Sequence, residues 1–104
     1  MKDKIVAIIS RPRYKDKCEK LYYFLSEQGY YVLMPNFKSK RGHENVEEMN
    51  FKRIDIADIV YIVNPSINMP DTNLYEISRA VINGCEIRRY EDLNMRWYLW
   101  LKTF

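Results

Sequence analysis

Five consecutive residues, Ile5-Val6-Ala7-Ile8-Ile9, carry no polar side chain, and four of them are β-branched. Such a run suits a strand covered on both faces, and strands of that kind belong to parallel sheets packed between helices. A second apolar run, Ile59-Val60-Tyr61-Ile62-Val63, breaks off at Asn64-Pro65. Around these runs the pattern alternates. From Tyr14 to Gln28, apolar residues Tyr14, Cys18, Leu21, Tyr22 and Leu25 recur at helical spacing, and Gly29 follows as a C-cap. Tyr30 to Met34 reads as a strand stopped by Pro35-Asn36, and Phe37 to Glu44 as a polar loop. Asn45 as N-cap with Glu48 three residues on predicts a capping box opening a helix that runs to about Ala57. After a loop from Asn64 to Thr72, a helix is predicted over Asn73 to Asn83, closed by Gly84. Glu86 to Tyr90 is a fourth strand, less apolar and therefore suited to an edge. The predicted fold is α/β: a Rossmann-like (flavodoxin-like) three-layer sandwich on a small parallel sheet of four or five strands, formed by residues 1–104 as a single domain.

With 104 residues the chain can bury a real core, and no apolar stretch approaches the roughly 20 residues a membrane helix needs. Met1-Lys2-Asp3-Lys4 lacks a signal-peptide layout, so the expectation is a cytoplasmic protein with no membrane partner. Cys18 and Cys85 stand far apart with only His43 as another soft ligand, which argues against a metal site or a disulfide and for packing as small apolar groups at helical core positions. Seven of the 17 basic residues fall within the first 20, although net charge is only +3. That cluster suits a phosphate or an acidic partner, while Lys15, Lys17 and Lys20 fit a solvated helix face. No nucleic-acid motif accompanies the charge. The end of the chain, Met95 to Phe104, is apolar on nearly every side. The segment 93–104 is expected at a subunit interface, in a homodimer or higher homo-oligomer.

Glu76 is the residue that most needs explaining. In an open parallel sheet, a carboxylate in the first turn after a central strand faces the crevice where such folds bind ligands, and a helix N-terminus favours its charged form. An ionised carboxylate there can attack a sugar carbon or orient a water for the same attack. The structural alternative is a capping box, Asn73 with Glu76, and an ion pair to Arg79. Asp71 could supply the second carboxylate that glycosidic bond cleavage uses, or form a loop Asx turn. Ser10, Arg11 and Arg13 leave the first strand in a loop whose amides and arginine fork could hold a 5′-phosphate, or which could be a solvated basic turn. Asn64 and Asn73 complete this set as candidate substrate contacts.

Ala57-Asp58-Ile59-Val60-Tyr61-Ile62-Val63-Asn64-Pro65 followed by Leu74-Tyr75-Glu76-Ile77-Ser78-Arg79-Ala80 resembles the nucleoside 2-deoxyribosyltransferase family, including its relatives that hydrolyse deoxynucleoside 5′-monophosphates. Gly29 to Pro35 and the arginine loop after the first strand extend the resemblance over roughly Lys4 to Tyr90. It implies that Glu76 is the nucleophile toward the deoxyribose anomeric carbon, that Asp71 contacts sugar or base, and that Arg13 contacts phosphate. It also implies residues lent by a neighbouring subunit, for which Asp92 and Asn94 lie in the matching region. The chain departs from the family where its first loop has Pro12 and no glycine, and where Asn73 stands in place of a small residue. It is also shorter than a typical transferase. The expected function is cleavage or transfer at the N-glycosidic bond of a (deoxy)nucleoside or its 5′-monophosphate, with no metal and no organic cofactor. The alternatives are a non-catalytic nucleotide-binding or sensing module of the same fold, and an interaction module presenting Tyr22, Tyr23, Tyr30 and Tyr31.

Overall fold

The two apolar runs form neighbouring central strands. A computed structural model of the chain describes residues 4–36 and 43–91, with the backbone alone for 43–48. In chain order it contains β1 (Ile5–Ile9), a 3-10 turn (Pro12–Tyr14), α1 (Lys15–Glu27), β2 (Tyr31–Leu33), α2 (His43–Ile56), β3 (Ile59–Val63), α3 (Asp71–Ile82) and β4 (Glu86–Tyr90). All pairings are parallel, and the strand order is β2-β1-β3-β4. The less apolar β4 is indeed an edge strand. Four strands, not five, are present among the described residues.

Period-two alternation divides the strands between two cores. Val6, Ile8, Ile59 and Val63 face α1 and pack with Cys18, Leu21 and Leu25. Ala7, Ile9, Val60 and Ile62 face the other helices and pack with Ile54 of α2 and Ala80 of α3. With α1 on one face and α2 and α3 on the other, the fold is the expected three-layer α/β sandwich. The winding reverses beside β1: α1 carries the chain from β1 out to β2, and α2 then carries it back past β1 to β3 on the other side. The crevice beyond the carboxyl ends of β1 and β3 is therefore the topological switch point.

Both glycine caps are as the sequence predicts. Gly29 (φ 94°) and Gly84 (φ 77°) adopt left-handed backbone after α1 and α3. In each case the following amide bonds back five residues, Tyr30 N–H to the Leu25 carbonyl and Cys85 N–H to the Ala80 carbonyl, completing a Schellman motif. Helix starts differ from expectation. α2 begins at His43, which places Asn45 inside the helix and removes the predicted capping box. α3 begins at Asp71 with Pro70 as its N-cap, whose extended ψ of 156° and carbonyl bond to the Leu74 amide set the first turn. The chain from 92 onward, including Asp92, Asn94 and the apolar tail, lies outside the described residues, as do 37–42 of the predicted loop.

Candidate active site

Because α3 starts two residues early, Glu76 is its sixth residue and sits in the second turn. The helix-terminal field falls off within the first turn, so it does not hold the Glu76 charge. Asn73 is likewise not the cap. The acid that complements the helix start is Asp71, exposed at the first helical position. Five residues of α-helix turn through roughly 140° net, so Asp71 and Glu76 point to different sides of α3. The geometry separates the two carboxylates that the sequence suggested as a pair.

Glu76 is 5% exposed. Its charge partner comes from the neighbouring helix: Arg53 Nη2 of α2 donates to Glu76 Oε2 at 3.1 Å. Asn73 Nδ2 donates to Glu76 Oε1 at 3.3 Å and also to the Ser10 carbonyl at 3.3 Å, which ties α3 to the end of β1. Arg79, expected to pair with Glu76, binds Asp55 instead through two donors at 2.7 and 2.8 Å. Burial pushes the Glu76 carboxyl above its ordinary value, and the Arg53 charge and the Asn73 amide oppose that rise. Removing one member of a buried ion pair typically costs about 3–5 kcal/mol, so Arg53 and Glu76 support the fold only together.

The switch-point crevice is an open cleft of about 560 Å³ lined by Arg11, Arg13, Tyr14, Asn64, Asn68 and Glu91, among others. It is a cationic mouth built around one ring: the charged ends of Arg11, Arg13 and Lys17 lie 4.9, 5.4 and 5.8 Å from the centroid of Tyr14. Arg11 Nη2 donates to the Asn64 carbonyl at 2.8 Å, strapping the loop after β1 to the loop after β3. Asn64 adopts φ 47°, a left-handed conformation that asparagine tolerates better than most residues. Its amide bonds the Tyr90 carbonyl at 2.7 Å. Ser10 is not a lining residue of this cleft: it is 3% exposed, and its hydroxyl donates to the Arg11 carbonyl.

A second cleft of about 400 Å³ opens between β2 and α2, with Met34, Asn36, Met49, Asn50 and Arg53 among its walls. Glu76 lines neither of these clefts, contrary to the expectation of a carboxylate open to the arginine loop. It lies behind both. Arg53 connects it to the second cleft, and Asn73 connects it through Ser10 to the loop that carries Arg11. Two buried polar atoms have no hydrogen-bond partner among the described residues, Asn73 Oδ1 and Arg11 Nε. Buried polar groups are ordinarily satisfied, so a ligand donor at the first and a ligand acceptor at the second would complete them.

The sequence singled out Glu76, Asn73, Asn64, Arg11 and Arg13, all of which belong to this region, but it missed Arg53 and Asn50. Asn50, Arg53, Ile54 and Ala57 recur at the i, i+3, i+4, i+7 spacing of an inward helix stripe, and an arginine on such a stripe was the available signal. Cys18 is buried as expected, whereas Cys85 lies in the turn before β4, not on a helix, with its thiol toward the Ala57 carbonyl at 3.4 Å. Among the described residues no group of three or more His, Cys, Asp or Glu could hold a metal ion, and no helix is long and apolar enough to cross a membrane.

No protein-family model matches the chain, and no curated protein matches it in sequence. Solved structures do. A 2-desoxiribosyltransferase from Leishmania mexicana superposes with a TM-score of 0.63 at 14% identity, over 85% of this chain and 64% of that one. A CMP N-glycosidase from Clostridium botulinum gives a TM-score of 0.66 at 20% identity, over 85% of this chain and 69% of that one. The chain thus spans about two thirds of the length of each. The fold is that of these two proteins, in agreement with the resemblance read from the sequence.

Proposed function

We propose that the chain cleaves or transfers at the N-glycosidic bond of a (deoxy)nucleoside or its 5′-monophosphate, with Glu76 as the nucleophile. One observation carries this reading: a buried carboxylate at the carboxyl end of the sheet, held by one donor on each oxygen, whose partner Arg53 lines a cleft. A carboxylate has about four acceptor positions, so two carry no donor from the described residues and are left for the anomeric carbon once a substrate reaches this buried group. As a Glu76 oxygen bonds to that carbon, the bond from carbon to base nitrogen breaks and its electron pair leaves with the base, which takes up a proton. Water or a second base then displaces Glu76, giving hydrolysis or transfer. The reaction requires no metal and no organic cofactor.

Asn73 Oδ1 suits a sugar hydroxyl, and Arg11 Nε with Arg13 suits a phosphate in the cationic cleft. The two similar structures are named for deoxyribosyl transfer and for CMP N-glycosidase activity. The test is release of free base from a panel of deoxynucleosides, nucleosides and their 5′-monophosphates. Glu76→Ala is expected to lower the rate by about 10⁴-fold or more, and activity that survives it overturns the assignment. The second reading, a nucleotide-binding module without turnover, is favoured by the engagement of both Glu76 oxygens. It predicts that nucleotides raise the melting temperature while no base is released. The macromolecular partner we propose is a second copy of the chain, contacted through the segment 93–104.

A further inference from the structure

An attacking carboxylate must be charged and must keep one orientation, and α3 supplies neither condition by itself. Glu76 lies beyond the first turn, and its neighbour on α3, Asn73, is neutral. The charge comes from α2. Arg53 is 8% exposed and has three anchors: Nη2 on Glu76 Oε2 at 3.1 Å, Nη1 on the Ile8 carbonyl at 2.7 Å, and Nε on Asn50 Oδ1 at 3.0 Å. Asn50 is fixed in turn, because its Oδ1 accepts the Asn36 amide at 3.1 Å and its Nδ2 donates to the Asn36 carbonyl at 3.4 Å. The guanidinium cannot rotate without losing bonds to β1, to α2 and to α3 together. A planar fork with several fixed donors can be held this way, whereas an ammonium is a single point charge on a flexible stem.

Few other titratable groups reach this pair among the described residues. From α1 the Cys18 thiol faces Arg53, and burial raises it, so it stays neutral. β1 contributes the main-chain carbonyls of Ile8 and Ser10. From α3 only Glu76 itself is charged toward Arg53. The pair is thus an isolated couple, and each oxygen of Glu76 keeps acceptor capacity on the side its single donor leaves open.

We infer that Arg53 is a positioning residue for the Glu76 carboxylate: anchored on the Ile8 carbonyl and on Asn50, it holds one carboxylate oxygen in place and leaves the other acceptor positions free for the reacting carbon. The inference rests on the reading of Glu76 as the nucleophile. Arg53 acts through Glu76 and not on the sugar, which distinguishes it from the cationic residues of the first cleft.

Arg53→Met and Arg53→Lys in the full chain test this, with two readouts. The first is the carboxyl ¹³C titration of Glu76, assigned by its absence in Glu76→Gln. The second is base release from the best deoxynucleoside 5′-monophosphate of the panel. In Arg53→Met the titration midpoint is expected to rise by about one to three pH units. The acid limb of kcat/KM should rise with it, and kcat should fall by about 10²-fold while KM changes little. Arg53→Lys should show a smaller rise and a partial recovery of kcat. A folded Arg53→Met protein whose Glu76 midpoint matches wild type overturns the inference. Should Arg53→Met fail to fold, Arg53→Lys decides, and a midpoint and rate equal to wild type overturn it. Absence of base release from wild type overturns the nucleophile reading alone, since the titration still judges whether Arg53 holds the carboxylate.

Discussion

Asp55 and Glu76 stand on adjacent helices yet respond to protons in opposite senses. The Arg79 guanidinium, and after it the Asn83 amide, hold the exposed Asp55 carboxyl below its ordinary value of 3.8. A group whose folded value is depressed stabilises above its unfolded value and loses that contribution as pH falls through the folded one. Asp55→Asn should therefore narrow the stability gap to wild type only below about pH 4, with a constant gap above about pH 5, as read by urea denaturation across a pH series. A gap independent of pH would show that Arg79 does not perturb Asp55. Glu76 works the other way. Burial raises it above 4.5, so its favourable contribution is present in acid and lost as pH rises through the raised value. The two effects occupy adjacent pH windows, Asp55 below 3.8 and Glu76 above 4.5, and the single variants assign each one. The Arg79 pairing also shows why the residue scale was only partly legible in the sequence. Arg79 follows Glu76 at helical spacing, but α2 presents Asp55 with better geometry, and no pattern within α3 contains that competitor.

Elements were legible where one residue type has one physical use. Only glycine adopts the left-handed backbone after a helix without strain, so Gly29 and Gly84 marked two helix ends correctly. Both positions have open space around a would-be Cβ. Gly84→Ala is then expected to destabilise through backbone conformation alone, by about 1–2 kcal/mol in urea unfolding, with base release unchanged. A neutral effect would mean that the turn relaxes. β1 and β3 were equally readable, because an unbroken apolar run between polar stops has few other uses. Helix starts were ambiguous for the converse reason. Asp71, Thr72 and Asn73 are all competent caps, and Pro70, a poor cap by side chain, takes the position because its fixed φ and extended ψ suit the approach from the loop. That two-residue difference moved Glu76 from the first turn to the second, and transferred the task of keeping it charged from the helix end to Arg53.

At the scale of the whole molecule, the outer side of α3 is unusually apolar for a solvent-facing surface. Val81 is 61% and Ile82 82% exposed, and Ile87 of the edge strand β4 is 38% exposed. β4 leads directly into the apolar C-terminal segment of the sequence. If the proposed second copy is seated through that segment, deleting residues 95–104 should convert the assembly to monomer in sedimentation at micromolar concentration. A truncated chain that stays folded and associated would remove the segment from the interface. The switch-point mouth has a different kind of stability, since the strap from Arg11 ends on a main-chain carbonyl of Asn64 and not on its side chain. That bond therefore survives a change of side chain at position 64, provided the new residue accepts the left-handed backbone. Position 64 is thus a dial that can be turned at the lip of the mouth without cutting the tie across it.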